Sequence, residues 1–389
     1  MSAIPYGRQD INQFDIDSVV SVLQSDYLTQ GPVVPAFEKA IADYCGAQYA
    51  IAVNSSTSAL HIACLALGVG KGDIVWTTPI TFVASANCAL YCGATVDFVD
   101  IDSITYNISI ERLTEKLAIA EKIGKLPKVL IPVHMCGQPC DMESIYALSQ
   151  KYGFKIIEDA SHAIGGKYKS EPIGNCRYSD ITVFSFHPVK IITTGEGGMA
   201  VTNELILAKH LCLLRSHGIT SAADDMDARP EKEIWNYQQI DLGFNYRMTD
   251  IQAALGLSQM QRLNKFVIKR HDIAMYYDDF LSALPVATPW QHEDSYSAYH
   301  LYIIRLKLDE INKSQRQVYE SLRESEILVN LHYIPVYRQP YYQQMGFREG
   351  YCLNAERHYA EAISLPIYSG LTEVQQDLVV TALHEAIGL

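Results

Sequence analysis

The chain has 389 residues, 48% of them hydrophobic and 19% charged, enough for two domains and a large ordered core. A formal net charge of -13 with no basic tract argues against a nucleic acid or an anionic membrane as partner. No run of about 18 apolar residues suggests a membrane span, and no early stretch has the layout of a secretory signal.

The nine cysteines are odd in number and scattered. Cys88 and Cys92 are four apart, as are Cys136 and Cys140, but neither pair has the CxxC-plus-His pattern of a zinc site. The expectation is structural, reduced cysteines, no metal and a cytoplasmic location.

In chain order, residues 1–30 read as an N-terminal arm with one helix, whose Ile16, Val19, Val20 and Leu23 are spaced as a single buried stripe. A polar loop through Gly31-Pro32 leads to a helix from about Pro35 to Cys45, ended by Gly46. Residues 31–264 then form a large domain. Apolar runs with strand character at Tyr49–Val53, Ile74–Thr77, Thr95–Val99, Val129–Val133, Lys155–Ile157, Ile181–Ser185 and Met199–Thr202 mostly alternate with helical segments. That alternation predicts an α/β fold, a mostly parallel seven-stranded sheet covered on both faces, with ligands at the carboxyl ends of its strands. Residues 221–240 are charged and irregular, an exposed excursion. Thr249 is the expected N-cap of a strong helix over 249–263. Residues 265–389 read as a smaller α+β domain with a strand at Tyr299–Leu306, a helix near Gln315–Glu324 and a last helix at Thr372–Ile387. The N-terminal helix is a candidate to pack against it.

The residue types at the strand ends carry the chemistry. After the first strand, Asn54-Ser55-Ser56-Thr57-Ser58 runs directly into a helix, where free N–H groups, the helix dipole and hydroxyls can hold a phosphate or serve simply as a polar cap. Phe82, after the second strand, could stack on a planar ring or fill core. Asp159 closes a wholly apolar run, so a half-buried carboxylate there needs a cationic or hydrogen-bonding partner. A protonated pyridine nitrogen is one such partner, and His162 lies within reach of the same ligand. Pro188 ends any regular element before Lys190, which places this lysine on a constrained turn after the strand ending at Ser185. A lysine desolvated there can form a Schiff base. Taken singly, each residue has an ordinary structural explanation. Together, in this order on one sheet, they are what pyridoxal 5'-phosphate requires of a protein.

With Leu28-Thr29-Gln30-Gly31-Pro32, Glu158 to Ala163, Glu196-Gly197-Gly198, Arg215 to Gly218, Asp241 to Arg247 and His332-Tyr333 added, nearly the whole chain resembles the DegT/DnrJ/EryC1/StrS nucleotide-sugar aminotransferases of fold type I. The resemblance implies a Schiff base at Lys190, Asp159 on the pyridine nitrogen, Phe82 stacked on the ring and His162 near its 3'-hydroxyl. It assigns the phosphate to Ser56, Thr57 and Ser185, with Asn245 reaching the phosphate of a neighbouring subunit in a homodimer. Tyr6, His217, His332 and Tyr333 are the candidate substrate contacts, since His and Tyr can hydrogen-bond a diphosphate or hydroxyls while packing on a sugar. Arg247 could bind an anion or pair with a carboxylate across the dimer.

Stretches such as His332 to Tyr337, Tyr341 to Gln344 and Glu361 to Pro366 are similar to the pseudaminic-acid-pathway subgroup. That implies L-glutamate as amino donor and UDP-2-acetamido-2,6-dideoxy-β-L-arabino-hexos-4-ulose as acceptor, giving UDP-4-amino-4,6-dideoxy-N-acetyl-β-L-altrosamine. A 3- or 4-keto sugar on another nucleotide is the competing substrate. A non-catalytic cofactor-binding regulator is a further reading, against which the intact Lys190 and Asp159 argue.

Overall fold

The structure, a computed structural model, describes residues 3–227 and 236–388. Seven strands form the central sheet: β1 (Tyr49–Val53), β2 (Ile74–Thr77), β3 (Thr95–Phe98), β4 (Val129–Ile131), β5 (Lys155–Asp159), β6 (Ile181–Ser185) and β7 (Gly198–Thr202). Their spatial order is β1-β7-β6-β5-β4-β2-β3. All neighbours run parallel except β7, which is antiparallel to both β1 and β6. The predicted α/β sheet is therefore present.

Alternation along each strand produces two apolar faces. Ile51, Val53, Val75, Ile157 and Val183 face one way, against the helices Ser56–Ala66, Ala84–Tyr91 and Leu205–Arg215. Ala52, Trp76, Ile156 and Phe184 face the other, against Val33–Cys45, Ile110–Lys122 and Met142–Tyr152. Most of these side chains are fully buried, so both layers are core.

A second unit is built on the antiparallel strands β8 (Val286–Ala287), β9 (Tyr302–Leu306) and β10 (Ala362–Leu365), packed under the helices Gln315–Glu324 and Glu373–Ile387. Thr372 caps the last helix through a capping box with Gln375. The helix Leu263–Leu281 joins the two units as one rigid piece. Its Leu263, Phe266 and Val267 belong to the core of the large sheet, and its Ile273, Tyr277 and Leu281 to that of the second unit.

The N-terminal helix, Gln13–Leu23, packs on Asp250–Met260 and not on the second unit. The reason is polar: Asp15 is fully buried, accepts from Ser258 Oγ (2.6 Å) and Gln259 Nε2 (2.8 Å), and pairs with Arg262. The second unit is reached instead by the arm before the helix: Ile4–Pro5 pairs in parallel with Ile327–Leu328, the Tyr6 carbonyl accepts from the Ile367 N–H (3.0 Å), and Asp10 accepts from Ser369 Oγ (3.2 Å). The expected buried stripe is corrected as well. Val22 is buried, whereas Ile16, Val20 and Leu23 are exposed together with Phe14, because this chain has no element over that face. Asp15→Ala should cost about 3 kcal/mol, the low end for a broken buried pair since Arg262 keeps Asp10. Denaturant unfolding checks this. A loss below about 0.5 kcal/mol would mean the pair is screened like a surface contact.

Thr249 caps the helix Asp250–Met260, as expected. Of the excursion at 221–240, Gln238–Gln239 pairs antiparallel with Ile219–Thr220 and Ala223–Asp225 forms a single 3-10 turn; residues 228–235 lie outside the described residues.

Candidate active site

The carboxyl ends of β1, β2, β5 and β6 open on one cavity of about 1030 Å³. Parallel strands ending at the same edge bring together residues up to about 130 positions apart in sequence, which is why strand-end residues of this chain converge.

After β1, Ser55 caps the helix Ser56–Ala66 by accepting from the Ser58 N–H (3.1 Å), while Ser58 Oγ hydrogen-bonds Asn54 Oδ1 (2.7 Å). The N–H groups of Ser56 and Thr57, in the first turn, have no acceptor within the helix and sit at its positive end. This turn lies directly on the start of β7. A Cβ on Gly198 would come within 2.5 Å of the Ser55 carbonyl and Ser56 nitrogen, so only glycine lets the two backbones approach.

Asp159, at the end of β5, is 4% exposed. Its Oδ2 accepts from Ser85 Oγ (2.6 Å) and its Oδ1 from the Ser161 N–H (3.1 Å), and Ser85 also shares a hydrogen bond with Thr81 (2.8 Å). One residue back, Glu158 points to the other face of the sheet and meets His134 Nε2 at 2.8 Å. The Cys140 N–H donates to His134 Nδ1 (3.1 Å), so the imidazole proton sits on Nε2 and is shared with Glu158.

Lys190 lies on the predicted turn, closed by its own N–H to the His187 carbonyl (2.9 Å) with Pro188 inside it. Burial pushes its ammonium down to about 8, and the neighbouring Asp159 carboxylate opposes that shift. A neutral amine is thereby accessible near physiological pH, as nucleophile or proton acceptor require.

Histidine and tyrosine rings from distant segments line the same cavity. The His162 ring stacks with Tyr333 (6.3 Å, 19°), with Nε2 3.3 Å from the Tyr333 hydroxyl. Burial, Lys190 and His332 hold His162 far below its ordinary pKa, and its Nδ1 is buried without a partner among the described residues. Burial, with Lys190 and His358, pushes His332 down to about 3; its Nδ1 meets Ser364 Oγ at 2.7 Å. Tyr6 packs on His332 at 5.3 Å.

Ser56, Thr57, Phe82, Asp159, His162, Ser185, Lys190, Tyr6, His332 and Tyr333 thus all line one cavity. Phe82 is exposed into it, two residues before the helix Ala84–Tyr91 and not at its opening position. His217 and Asn245 do not line it. They sit beside each other on the surface, where Ser216 bridges Asn245 in antiparallel fashion, and both are exposed. Residues 216–218 turn off the end of Leu205–Arg215, and residues 245–247 run beside the carboxyl end of β1, where the Asn54 N–H donates to the Tyr246 carbonyl (2.8 Å), which leaves both side chains exposed beside the cavity. Sequence reasoning missed Ser85, the hydroxyl partner of Asp159, whose position four residues after Thr81 at a helix start was the available signal. It also missed Asn330 and Gln252 on the cavity wall, which no local pattern marks.

Pyridoxal 5'-phosphate needs an amine for its aldehyde, a carboxylate for its ring nitrogen and an anion site for its phosphate. The residues present fit it: an amine with a lowered pKa, a held carboxylate, a helix N-terminus and a partnerless buried histidine nitrogen face one cavity. Fold and site together define a pyridoxal-phosphate-dependent aminotransferase. Residues 9–384 match the DegT/DnrJ/EryC1/StrS aminotransferase family, and the chain belongs to it. It is 37% identical to the spore coat polysaccharide biosynthesis protein SpsC of Bacillus subtilis, over 99% of this chain and 97% of that protein. It is 38% identical to the UDP-4-amino-4,6-dideoxy-N-acetyl-β-L-altrosamine transaminase of Campylobacter jejuni, over 94% and 92%. The solved Helicobacter pylori PseC, an aminotransferase of pseudaminic acid biosynthesis, superposes with a TM-score of 0.90 at 31% identity, covering 99% of both chains. Similar solved aminotransferases include pyridoxal-phosphate and pyridoxamine-phosphate forms. The chain is therefore a nucleotide-sugar aminotransferase. No helix among the described residues is long and apolar enough to cross a membrane, and all nine cysteines are free.

Proposed function

We propose that this enzyme moves an amino group from L-glutamate to C4 of UDP-2-acetamido-2,6-dideoxy-β-L-arabino-hexos-4-ulose, giving UDP-4-amino-4,6-dideoxy-N-acetyl-β-L-altrosamine for pseudaminic acid, as a cytoplasmic homodimer. The observation carrying the amino-transfer chemistry is Lys190, with its lowered pKa, beside Asp159 in one cavity. The 38% identity to the altrosamine transaminase supports the choice of sugar.

When bound, pyridoxal phosphate supplies an electron sink for the carbanion at the donor Cα. Lys190 would hold the cofactor covalently at rest, and its neutral amine, once freed, would take a proton from the donor Cα as base and give it back as acid. Asp159, which accepts from the Ser85 hydroxyl and the Ser161 N–H, would face the ring nitrogen and hold a proton there. Ser56, Thr57 and Ser185 would bind the phosphate, Phe82 would pack on the ring, and His162 would accept or donate at the 3'-oxygen. Tyr6, His332 and Tyr333 orient the sugar. Lys190 then runs the proton transfers in reverse on the acceptor, which makes the kinetics ping-pong.

A second copy of the chain accounts for the residues left outside the cavity. The uncovered apolar face of Gln13–Leu23 supports a dimer, and Asn245 and His217 are exposed so as to enter the partner's site.

The likeness to SpsC over nearly the whole chain favours one alternative, a different nucleotide-linked 3- or 4-keto sugar. A titration separates them. The purified yellow holoenzyme should bleach with L-glutamate and recover its colour with the UDP-4-keto sugar. Bleaching without recovery would reject this acceptor and favour the alternative, while failure to bleach would reject glutamate.

A further inference from the structure

The strand end that presents Asp159 carries a second carboxylate one residue earlier, and the two face opposite ways. Glu158 lies on the layer of Trp76, Ile156 and Phe184, 4% exposed, where an ionised group needs several donors. It has them from both neighbouring strands. His134, beyond β4, meets Glu158 Oε2 through Nε2 (2.8 Å), and its own N–H donates to the Asp159 carbonyl (3.1 Å). Thr182, on β6, donates through Oγ1 to Glu158 Oε1 (3.2 Å), and Ser179, in the turn before that strand, donates to the same oxygen. His134 and Thr182 are fully buried. Against burial, which would raise it, these partners hold the Glu158 carboxyl below its ordinary pKa, so it stays ionised.

We propose that Glu158 is a positioning residue for the amino transfer: with His134, Ser179 and Thr182 it forms a polar lock on the far face of the sheet, which fixes the register of β5 and so presents Asp159, and not Glu158, to the cofactor. That role rests on Asp159 being the partner of the ring nitrogen.

In a strand, a slip of one residue turns every side chain to the opposite face. Such a slip of β5 would bring Glu158 into the cavity and put Asp159 into the apolar layer. The strand reads Ile156-Ile157-Glu158-Asp159, two like residues followed by two like residues, so its own pattern barely resists the change. The Ser85 hydroxyl that meets Asp159 would serve either carboxylate. The far-face partners do discriminate. Glu158 stands opposite Thr182 in the β5–β6 register and Asp159 opposite Val183, on the strand whose end carries Ser185 and leads to Lys190. The lock therefore sets the separation of carboxylate and amine, which the span of one cofactor has to match. Stability alone does not account for it, since packed apolar groups in place of a buried charged cluster are often neutral or better.

The test compares Glu158→Gln, Thr182→Val and Ser179→Ala in the full chain, with and without cofactor. In Glu158→Gln an NH₂ replaces one acceptor oxygen and faces a donor. Hydrogen–deuterium exchange of peptides spanning 129–136 and 155–161 should be about 10-fold faster in that variant, with the rest of the sheet unchanged. Bleaching of the holoenzyme by L-glutamate should slow between about 10- and 100-fold, while KM for L-glutamate stays within about twofold. Thr182→Val and Ser179→Ala, which each remove one of the donors, should show the same pattern more weakly, and they carry the test if Glu158→Gln does not fold. A wild-type bleaching rate in Glu158→Gln, or faster exchange spread evenly over the sheet, would overturn the proposal. So would local loosening in all three variants with no change in rate. Full activity in Asp159→Asn would reject the role of Asp159 and the proposal with it, and that failure is told apart because the local exchange change in Glu158→Gln would persist. None of these readouts depends on which sugar is aminated.

Discussion

Lys190→Ala is expected to lower kcat at least about 10,000-fold, since it removes both the covalent anchor and the group that carries the proton. The side chain contributes in two separable ways. On the proposed mechanism its amine would hold the cofactor at rest and, once freed, would move protons at two carbons. A structural role alone would not reproduce the expected pattern. The variant should keep its thermal unfolding midpoint within a few degrees, because Lys190 lies on a cavity-lining turn closed by the backbone hydrogen bond to His187 and not in the packed core. It should still take up pyridoxal phosphate, held by the helix N-terminus at Ser56, but without the absorbance of the lysine-linked form. Small primary amines added to the buffer should restore part of the lost rate. Near-normal turnover by the variant would remove Lys190 from the mechanism.

Asp159→Asn should lower kcat about 1,000-fold, a typical cost for losing one preorganised electrostatic partner at a reacting centre. The substitution is nearly isosteric. An amide oxygen can still accept the Ser161 N–H, so the strand end keeps its shape. What would be lost, on the proposed mechanism, is the negative charge opposite the ring nitrogen. The Ser85 hydroxyl, donating to Oδ2 in the native site, would face either an amide oxygen or an NH₂. Stability should change little while both half-reactions slow together. Equal loss in Asp159→Asn and Asp159→Ala would agree with a charge role, and unchanged turnover in the Asn variant would exclude one.

Much of the fold could be read from residue order. Apolar runs of three to five residues alternating with helical stretches predict a parallel sheet, because each parallel connection needs a crossover. Gly and Pro punctuation placed the Lys190 turn for the same local reason. The helix start at Thr249 was legible as a cap, and capping boxes at Thr249, Ser314 and Thr372 are local patterns that span only four residues. The covering of a face is different. Ile16, Val20 and Leu23 have the spacing of a buried stripe, yet periodicity reports only that a face is apolar, and what lies opposite is set by the rest of the assembly.

The same division runs through the site. Asp159, Ser185, Lys190 and the Ser55–Thr57 turn were legible because each follows a strand, and strands of a parallel sheet deliver their ends to one edge. Tyr6, His332 and Tyr333 reach that edge from the two ends of the chain, and only tertiary packing decides that they do, whereas His217 and Asn245 stay outside. The Asp159–Ser85 bond is likewise a product of packing, invisible to local pattern. By itself, the sequence determined the sheet, its chemical edge and the class of cofactor, because strand periodicity and strand-end residues are local properties of the chain. The tertiary structure decided which distant rings share the cavity and which apolar face is left uncovered, because those depend on how the elements pack against each other.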